Sequence, residues 1–333
     1  MQHHNVRDVI KIGTKEAMKG KIAIALLASA LWITLSCRWF SKLNRAEGAL
    51  EDFKLRMLAE INRAREAHGL KRLELDEHAS KVAQIHAEEM ARNSYFSHWD
   101  RNGLKPYMRY SLAGGYDALS ENLSHTKNIP LRILPQTIIN SYLAERPPND
   151  GHKRTLLLPY ATHVGIGIAV NDGHVYVAQE FVTKLIKMLP IPRFARLDEK
   201  LQIIGKVPSG WELHNIDVFY EPLPSPMTKE ELSRMSAYGL PEERKSLFKL
   251  LPPNARYSDG SRGDIIIAND GTFLCPIPFF KKLPGVYTIV VWLLNRNDKT
   301  HVAATNASIF VCRDEDEMKR LQQRFMHYLS ILR

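Results

Sequence analysis

The chain has 333 residues, of which 44% are hydrophobic and 25% charged, with a formal net charge of +10. This excludes an intrinsically disordered chain and allows a sizeable core, with a length that suits two domains better than one. The positive excess is spread out, with no long basic run interleaved with aromatics, so it argues for a basic surface rather than nucleic-acid binding.

Arg7, Lys11, Lys15, Lys19 and Lys21 precede an uncharged apolar run, IAIALLASALWITLSC, from Ile22 to Cys37. The run is short beside the roughly 20 apolar residues of a spanning helix and suits the apolar region of a signal peptide. Residues 1–45 therefore read as a signal peptide or a retained membrane anchor, with the following chain outside the cytoplasm, either secreted or tethered. Ser36-Cys37 resembles a lipoprotein processing site, but Thr34 stands where leucine is favoured. Cleavage, lipidation and retention all stay open.

Phe53, Met57, Leu58, Ile61 and Ala64 recur at helical spacing and predict a helix from Leu50 to His68, closed by Gly69. Asp76 or Glu77 opens a second helix with Ala79, Val82, Ala83, His86 and Met90 on one face, ending near Asn93. Gly103 and Pro106 mark a loop, and Gly114-Gly115 a turn. A third helix runs from Leu134 to Glu145, stopped by Pro147 and Pro148. Val164, Ile166, Ile168 and Val170 then alternate with small or polar residues, Asn171-Asp172-Gly173 supplies a turn, and His174 to Val182 alternates again: a β-hairpin. Helices followed by a hairpin predict an α/β/α sandwich over residues 48–185.

Residues 186–200, with Pro190 and Pro192, read as a linker. Residues 201–333 carry the short segments LQIIG, NIDVFY, DIIIA, TFLC, VYTIVVWLL and ASIFVC, expected to form a small β-sandwich-like domain with an irregular or helical insertion from Met227 to Leu250. Asp314 to Leu332 predicts a C-terminal amphipathic helix with Met318, Leu321, Phe325 and Leu329 in line. The fold class is thus α+β. Cys275 and Cys312 are compatible with a disulfide in an exported chain, and equally with two buried thiols.

Four residues of the first domain suit chemistry: His98 in YFSH, Glu121 in SENLSH, Glu145 at the end of the third helix, and His152 in the loop NDGHKRTLLLP. Two imidazoles and two carboxylates can serve a divalent metal such as zinc or magnesium, or acid–base work. His86 lies on an apolar helix face and reads as a core histidine, and His163 and His174 as solvated hairpin residues. Ser94, Ser97 and Ser120 lack the strand–turn–helix setting of a hydrolase nucleophile. Asn122-Leu123-Ser124 and Asn306-Ala307-Ser308 fit glycosylation acceptors in a eukaryotic secretory host.

In order, the chain reads HAEEM (His86–Met90), YFSH (Tyr95–His98), SEN (Ser120–Asn122), GHKRTLL (Gly151–Leu157), THVGIG (Thr162–Gly167) and QEF (Gln179–Phe181). This order resembles the CAP superfamily of cysteine-rich secretory proteins, antigen 5 and pathogenesis-related proteins, in its bacterial, SCP-like form, over about residues 50–183. The resemblance implies a cleft in which His98, Glu121 and His152 stand at the family's positions. Glu145 follows three residues after Tyr142, which takes the place of a usual tryptophan. Ser120 replaces a glycine, a source of strain if that backbone needs positive φ, and Thr155 replaces a usual asparagine. The resemblance implies an extracytoplasmic, non-enzymatic protein binding a lipid-like or other small ligand, a divalent metal through His98 and His152, or both. A metal-assisted hydrolase of peptide or envelope polymer, with Glu121 as base, and a structural or adhesive module are the alternatives.

Overall fold

The structure is a computed structural model that describes residues 48–235 and 237–332. The expected signal or anchor over residues 1–45, with Cys37, lies outside the described residues. Contacts divide the chain into two units, Met1–Phe53 and Lys54–Arg333. In the first, residues 48–53 are helical. Among the described residues no helix is long and apolar enough to cross a membrane.

The larger unit begins with helix α1 over residues 54–67, after which Gly69 adopts φ +71°. Strand β1 (Glu74–Leu75) leads into α2 (Glu77–Asn93), whose amino end is capped by the Asp76 carboxylate accepting from the Ala79 N–H. Ala79, Val82, Ala83, His86 and Met90 form its buried face, as the spacing predicts. Then come α3 (Pro106–Leu112), β2 (Ala118–Lys127), α4 (Leu134–Ala144), α5 (Gly151–Leu156), β3 (His163–Asn171) and β4 (His174–Thr183). The strands assemble in the order β1-β3-β4-β2, with only β1 and β3 parallel.

Layering follows from the pleat. Gly165 and Gly167 of β3 face α2, and a Cβ on Gly167 would lie 2.2 Å from the Ala83 carbonyl carbon. The two glycines of THVGIG therefore exist because the helix backbone rests directly on the strand. On the opposite face Gln179 reaches Met57 of α1, and Ser124 bonds Tyr142 of α4. This is the expected α/β/α arrangement. Three local readings change: the loop after Gly103 contains α3, with Pro106 at its first turn; SENLSH is part of strand β2; and His152 stands in α5, not in a loop. Ser120 is extended strand and is not among the residues with positive φ, so replacing glycine there carries no strain.

The β-rich part starts within the expected linker. Strands β5 (Lys187–Met188), β6 (Phe194–Arg196), β7 (Leu201–Lys206), β8 (Trp211–Glu221), β9 (Arg244–Leu247), β10 (Ile266–Ile267), β11 (Thr272–Ile277), β12 (Gly285–Asn295), β13 (His301–Ala303) and β14 (Ala307–Cys312) make two sheets, β10-β11-β7-β5 and β6-β14-β12-β8-β9, with β13 on β12. Their inner faces share a core that includes Ile203, Phe273, Ile289 and Ile309. The insertion between β8 and β9 contains a one-turn helix, α6 (Lys229–Leu232). The C-terminal helix breaks at Phe325 into α7 (Glu315–Arg324) and α8 (Met326–Leu329), which bury Leu321, Phe325 and Tyr328 in a core shared with α3. Cys275 and Cys312 are free, buried thiols in different core clusters, so the disulfide alternative falls away.

The β-rich part is bonded to the first layers by backbone as well as side chains. The Ala118 N–H donates to Ala304 O at 3.1 Å, and the Ser308 N–H to the Ser111 hydroxyl at 2.8 Å. Asn306 accepts from the Leu119 N–H and donates to the Leu119 carbonyl. These bonds anchor the first residues of β2, the strand that carries Glu121.

Gly167→Ala is expected to lower stability by about 1–3 kcal/mol, because its methyl must push α2 off the sheet. Gly48→Ala, with nothing within 4 Å of the added Cβ, should change little. Thermal melts of both variants check this, and equal midpoints would show that the helix can yield.

Candidate functional site

His98, Glu121, Glu145 and His152 all line one cavity of about 880 Å³. One strand and three helix ends bring them there: β2 carries Glu121, the loop after α2 carries His98, Glu145 is the C-cap of α4, and His152 stands in the first turn of α5. The helix α2 ends at Ser94, which takes the left-handed conformation (φ 52°) and donates its N–H to Met90 O. The chain turns back, burying Tyr95 and Trp99 and carrying His98 to the sheet. His86 donates its Nε2–H to the Ser97 carbonyl at 2.9 Å, so it is a core histidine that fixes this loop. Phe96 is 40% exposed. Trp99 packs in the core and is not part of the cavity wall.

Within the cavity the four residues form two pairs. His98 Nδ1 lies 2.7 Å from Glu121 Oε1, and His152 Nδ1 lies 2.5 Å from Glu145 Oε1. A carboxylate only accepts, so each histidine donates from Nδ1, which leaves Nε2 of each ring as its acceptor nitrogen. Each pair is held in place by further bonds. Glu145, the C-cap of α4, also accepts the Lys153 N–H at 3.0 Å. The His152 ring stacks on Tyr142 (centroids 4.8 Å apart, planes 4° apart), and its carbonyl accepts from Asn122. Tyr142 thus fills its aromatic position with a hydroxyl bonded to Ser124 and to the Leu123 carbonyl.

The first pair rests on a residue that the sequence did not flag. Arg109 of α3 is fully buried and donates to Glu121 Oε2 at 2.6 Å, to the His98 carbonyl at 2.6 Å and to the Leu104 carbonyl at 3.1 Å. Glu180, directly opposite Glu121 in the β2–β4 register, lies 3.7 Å from the same guanidinium. Its carboxyl oxygens are buried and meet no donor among the described residues, and the group it can bond, once protonated, is the Glu121 carboxylate. One guanidinium cannot balance two carboxylates in a sealed layer. Glu121, with both of its charge-assisted bonds, keeps the negative charge. Burial, reinforced by the Glu121 charge, pushes the Glu180 carboxyl well above the usual range, so Glu180 holds its proton. Burial and the Arg109 charge also lower His98 to about 4, which makes it a neutral donor rather than an imidazolium.

Tyr238, from the β8–β9 insertion, completes the wall. Its ring lies 4.8 Å from that of His98, and its hydroxyl accepts the Glu121 N–H at 2.7 Å. Burial keeps it a phenol, its pKa raised above the ordinary value.

Two histidines whose Nδ1 atoms are fixed by carboxylates are the arrangement that orients imidazole for a metal. Each pair thus orients one imidazole, with Glu121 behind His98 and Glu145 behind His152. Among the described residues no three His, Cys, Asp or Glu side chains are grouped to hold an ion.

Comparison with known proteins agrees on the first layers. Residues 58–183 match the profile of the CAP family, the cysteine-rich secretory protein family. The chain is 26% identical over 140 residues to protein YkwD of Bacillus subtilis (strain 168), covering 42% of this chain and 50% of YkwD. It is 27% identical over 130 residues to the membrane protein YlbC of the same organism, covering 37% of this chain and 32% of YlbC. The chain thus spans half or less of these relatives. Among solved structures, an outer surface protein from Borrelia burgdorferi aligns at 24% identity and TM-score 0.33, over 40% of this chain and 92% of that one. An extracellular protein containing a SCP domain, from Bacillus anthracis str. Ames, aligns at 24% identity and TM-score 0.31, over 41% of each chain.

The two protonation states give opposite pH signatures. The folded chain disfavours a protonated His98 while the unfolded chain protonates, so the contribution of this residue to stability falls as pH drops below about 6.5. His98→Gln should remove that share of the acid limb. Glu180 binds its proton more tightly when folded, so its contribution is favourable below about pH 4.5 and is lost as pH rises. Glu180→Gln should therefore be more stable than wild type at pH 7–8, with the gain vanishing near pH 4. Denaturant titrations across pH check both, and a pH-independent difference for either variant would refute its assigned protonation state.

Proposed function

We propose, on the premise that this is a CAP-domain protein, its residues 58–183 forming a domain of the cysteine-rich secretory protein family, that it acts outside the cytoplasm as a non-enzymatic binder. Its ligand is a divalent ion, or an amphiphilic small molecule whose polar head meets the histidines. The observation that carries this reading is the pair of carboxylate-oriented imidazoles, His98 and His152, on the wall of one 880 Å³ cavity. Apolar wall residues such as Leu119, Leu158, Leu240 and Val290 offer a surface for a lipid-like body beyond the polar end. The volume falls within the range of about 300–1,000 Å³ typical of small-molecule pockets.

A hydrolytic role for Glu121 gains no support from the geometry. A general base needs an oxygen within reach of the attacking water. Both Glu121 oxygens are engaged, one by His98 and one by Arg109, and the side chain is fully buried.

Calorimetry with zinc, together with mass spectrometry of lipid extracted from the purified protein, tests the proposal. Zinc binding at the cleft should disappear in the double variant His98→Ala/His152→Ala with an unchanged circular dichroism spectrum. Glu145→Gln, which loosens the orientation of His152, should weaken it by about 10–100-fold. Zinc binding and lipid content both unaltered in the double variant would overturn the proposal.

A further inference from the structure

A second pair of histidines lies outside the cleft, on the same sheet. His125 of β2 and His174 of β4 are diagonal neighbours: His125 pairs with Tyr176, and Lys127 with His174. His125 Nε2 and His174 Nδ1 stand 2.8 Å apart, and the ring planes differ by 11°. His125 is exposed and His174 partly exposed, so both reach solvent. Four residues separate His125 from Glu121 along β2, about 13 Å of extended chain, and neither histidine belongs to the cavity wall.

Two features make the pair more than a chance contact. The His125 ring is clamped, stacked on Tyr176 (centroids 4.5 Å apart, 18° between planes) and flanked by Phe96 at 5.7 Å. The backbone beneath is equally fixed, since the Asn128 N–H donates to Gly173 O and closes the end of the β2–β4 ladder next to His174. The separation is that of a hydrogen bond in the free protein, and it is also compatible with a shared ion. Two nitrogens each about 2.0 Å from a metal and at right angles to one another are about 2.8 Å apart, the cis spacing of a square-planar ion.

We propose that His125 and His174 form a surface site for a square-planar transition ion of the copper(II) type, bound through His125 Nε2 and His174 Nδ1 with water completing the plane. In the free protein one ring donates its N–H to the other. On binding, that ring moves its proton to its far nitrogen, both lone pairs turn toward the ion, and no net proton is released from the neutral pair. Among divalent first-row ions copper(II) binds such imidazole sites most tightly, ahead of nickel and zinc.

The test is copper(II) titration of the full-length chain, free of any affinity tag, followed by electron paramagnetic resonance. Wild type is expected to bind one more copper ion than His125→Ala/His174→Ala, with nitrogen hyperfine splitting from that ion lost in the variant. Each single substitution should lower the affinity of this site at least tenfold. His98→Ala/His152→Ala should keep the site, which separates it from the cleft. Both histidines lie at the surface, so matching circular dichroism spectra and thermal midpoints establish that the variants fold. Equal copper stoichiometry and spectra in wild type and His125→Ala/His174→Ala would overturn the proposal, as would loss of this signal only in the cleft double variant.

Discussion

The buried guanidinium of Arg109 holds together three segments that would otherwise have no reason to meet. It reaches the loop after α2 through the His98 and Leu104 carbonyls, β2 through Glu121, and the field of Glu180 on β4. A lysine could not replace it, because only the planar fork serves several acceptors in fixed directions at once. Its single charge also dictates the protonation of its surroundings. Asp100 lies in the same buried layer, where burial and then Glu89 push it up to about 7. Glu121 takes the ion pair, and Glu180 stays neutral. Removing one partner of such a sealed pair leaves an uncompensated charge, a loss of about 3–5 kcal/mol, so the site and the fold share one electrostatic foundation.

The β-rich part has a structural claim on the cleft. Its insertion places Tyr238 beside His98 and gives Glu121 a partner for its N–H, while Asn306 and Ala304 fasten the start of β2. The Tyr238 hydroxyl accepts that bond and retains its own proton. Shape and polarity at the cleft are therefore set jointly by the first layers and by residues 117 to 187 positions further along the chain.

The sequence made some of this legible and hid the rest for identifiable reasons. Helix α2 and the β3–β4 hairpin declare themselves because apolar spacing and an Asn-Asp-Gly turn are local signals. The four cleft residues could be named by family resemblance, not by spacing, since tertiary contact alone brings them together. Glu180 escaped notice because alternation in HVYVAQEFV suggests one wet face, whereas helices cover both faces of this sheet. Arg109 stands in a short apolar run, PYMRYSL, and a lone arginine between two buried tyrosines was the available signal. Strand β2 was missed because SENLSHTK is polar, and its pairing comes from β4 rather than from intrinsic propensity. Tyr238 carried no signal, since nothing local in its insertion points to a cleft.

The end of α2 separates two histidine chemistries on one strand. Glu121, Leu123 and His125 lie on the same face of β2, because side chains alternate along a strand. Ser94 stops the helix in a left-handed cap, and the returning loop buries Tyr95 and Trp99 and carries His98 against Glu121. That covers the first half of the face, where an imidazole on the cavity wall meets a buried carboxylate. Phe96 is left at the edge of the cover, against His125, and from there the face opens to solvent. An imidazole placed there meets Tyr176, Phe96 and a second imidazole from β4. Four residues of strand thus convert one residue type from a carboxylate-oriented donor in a cleft into half of an exposed nitrogen pair.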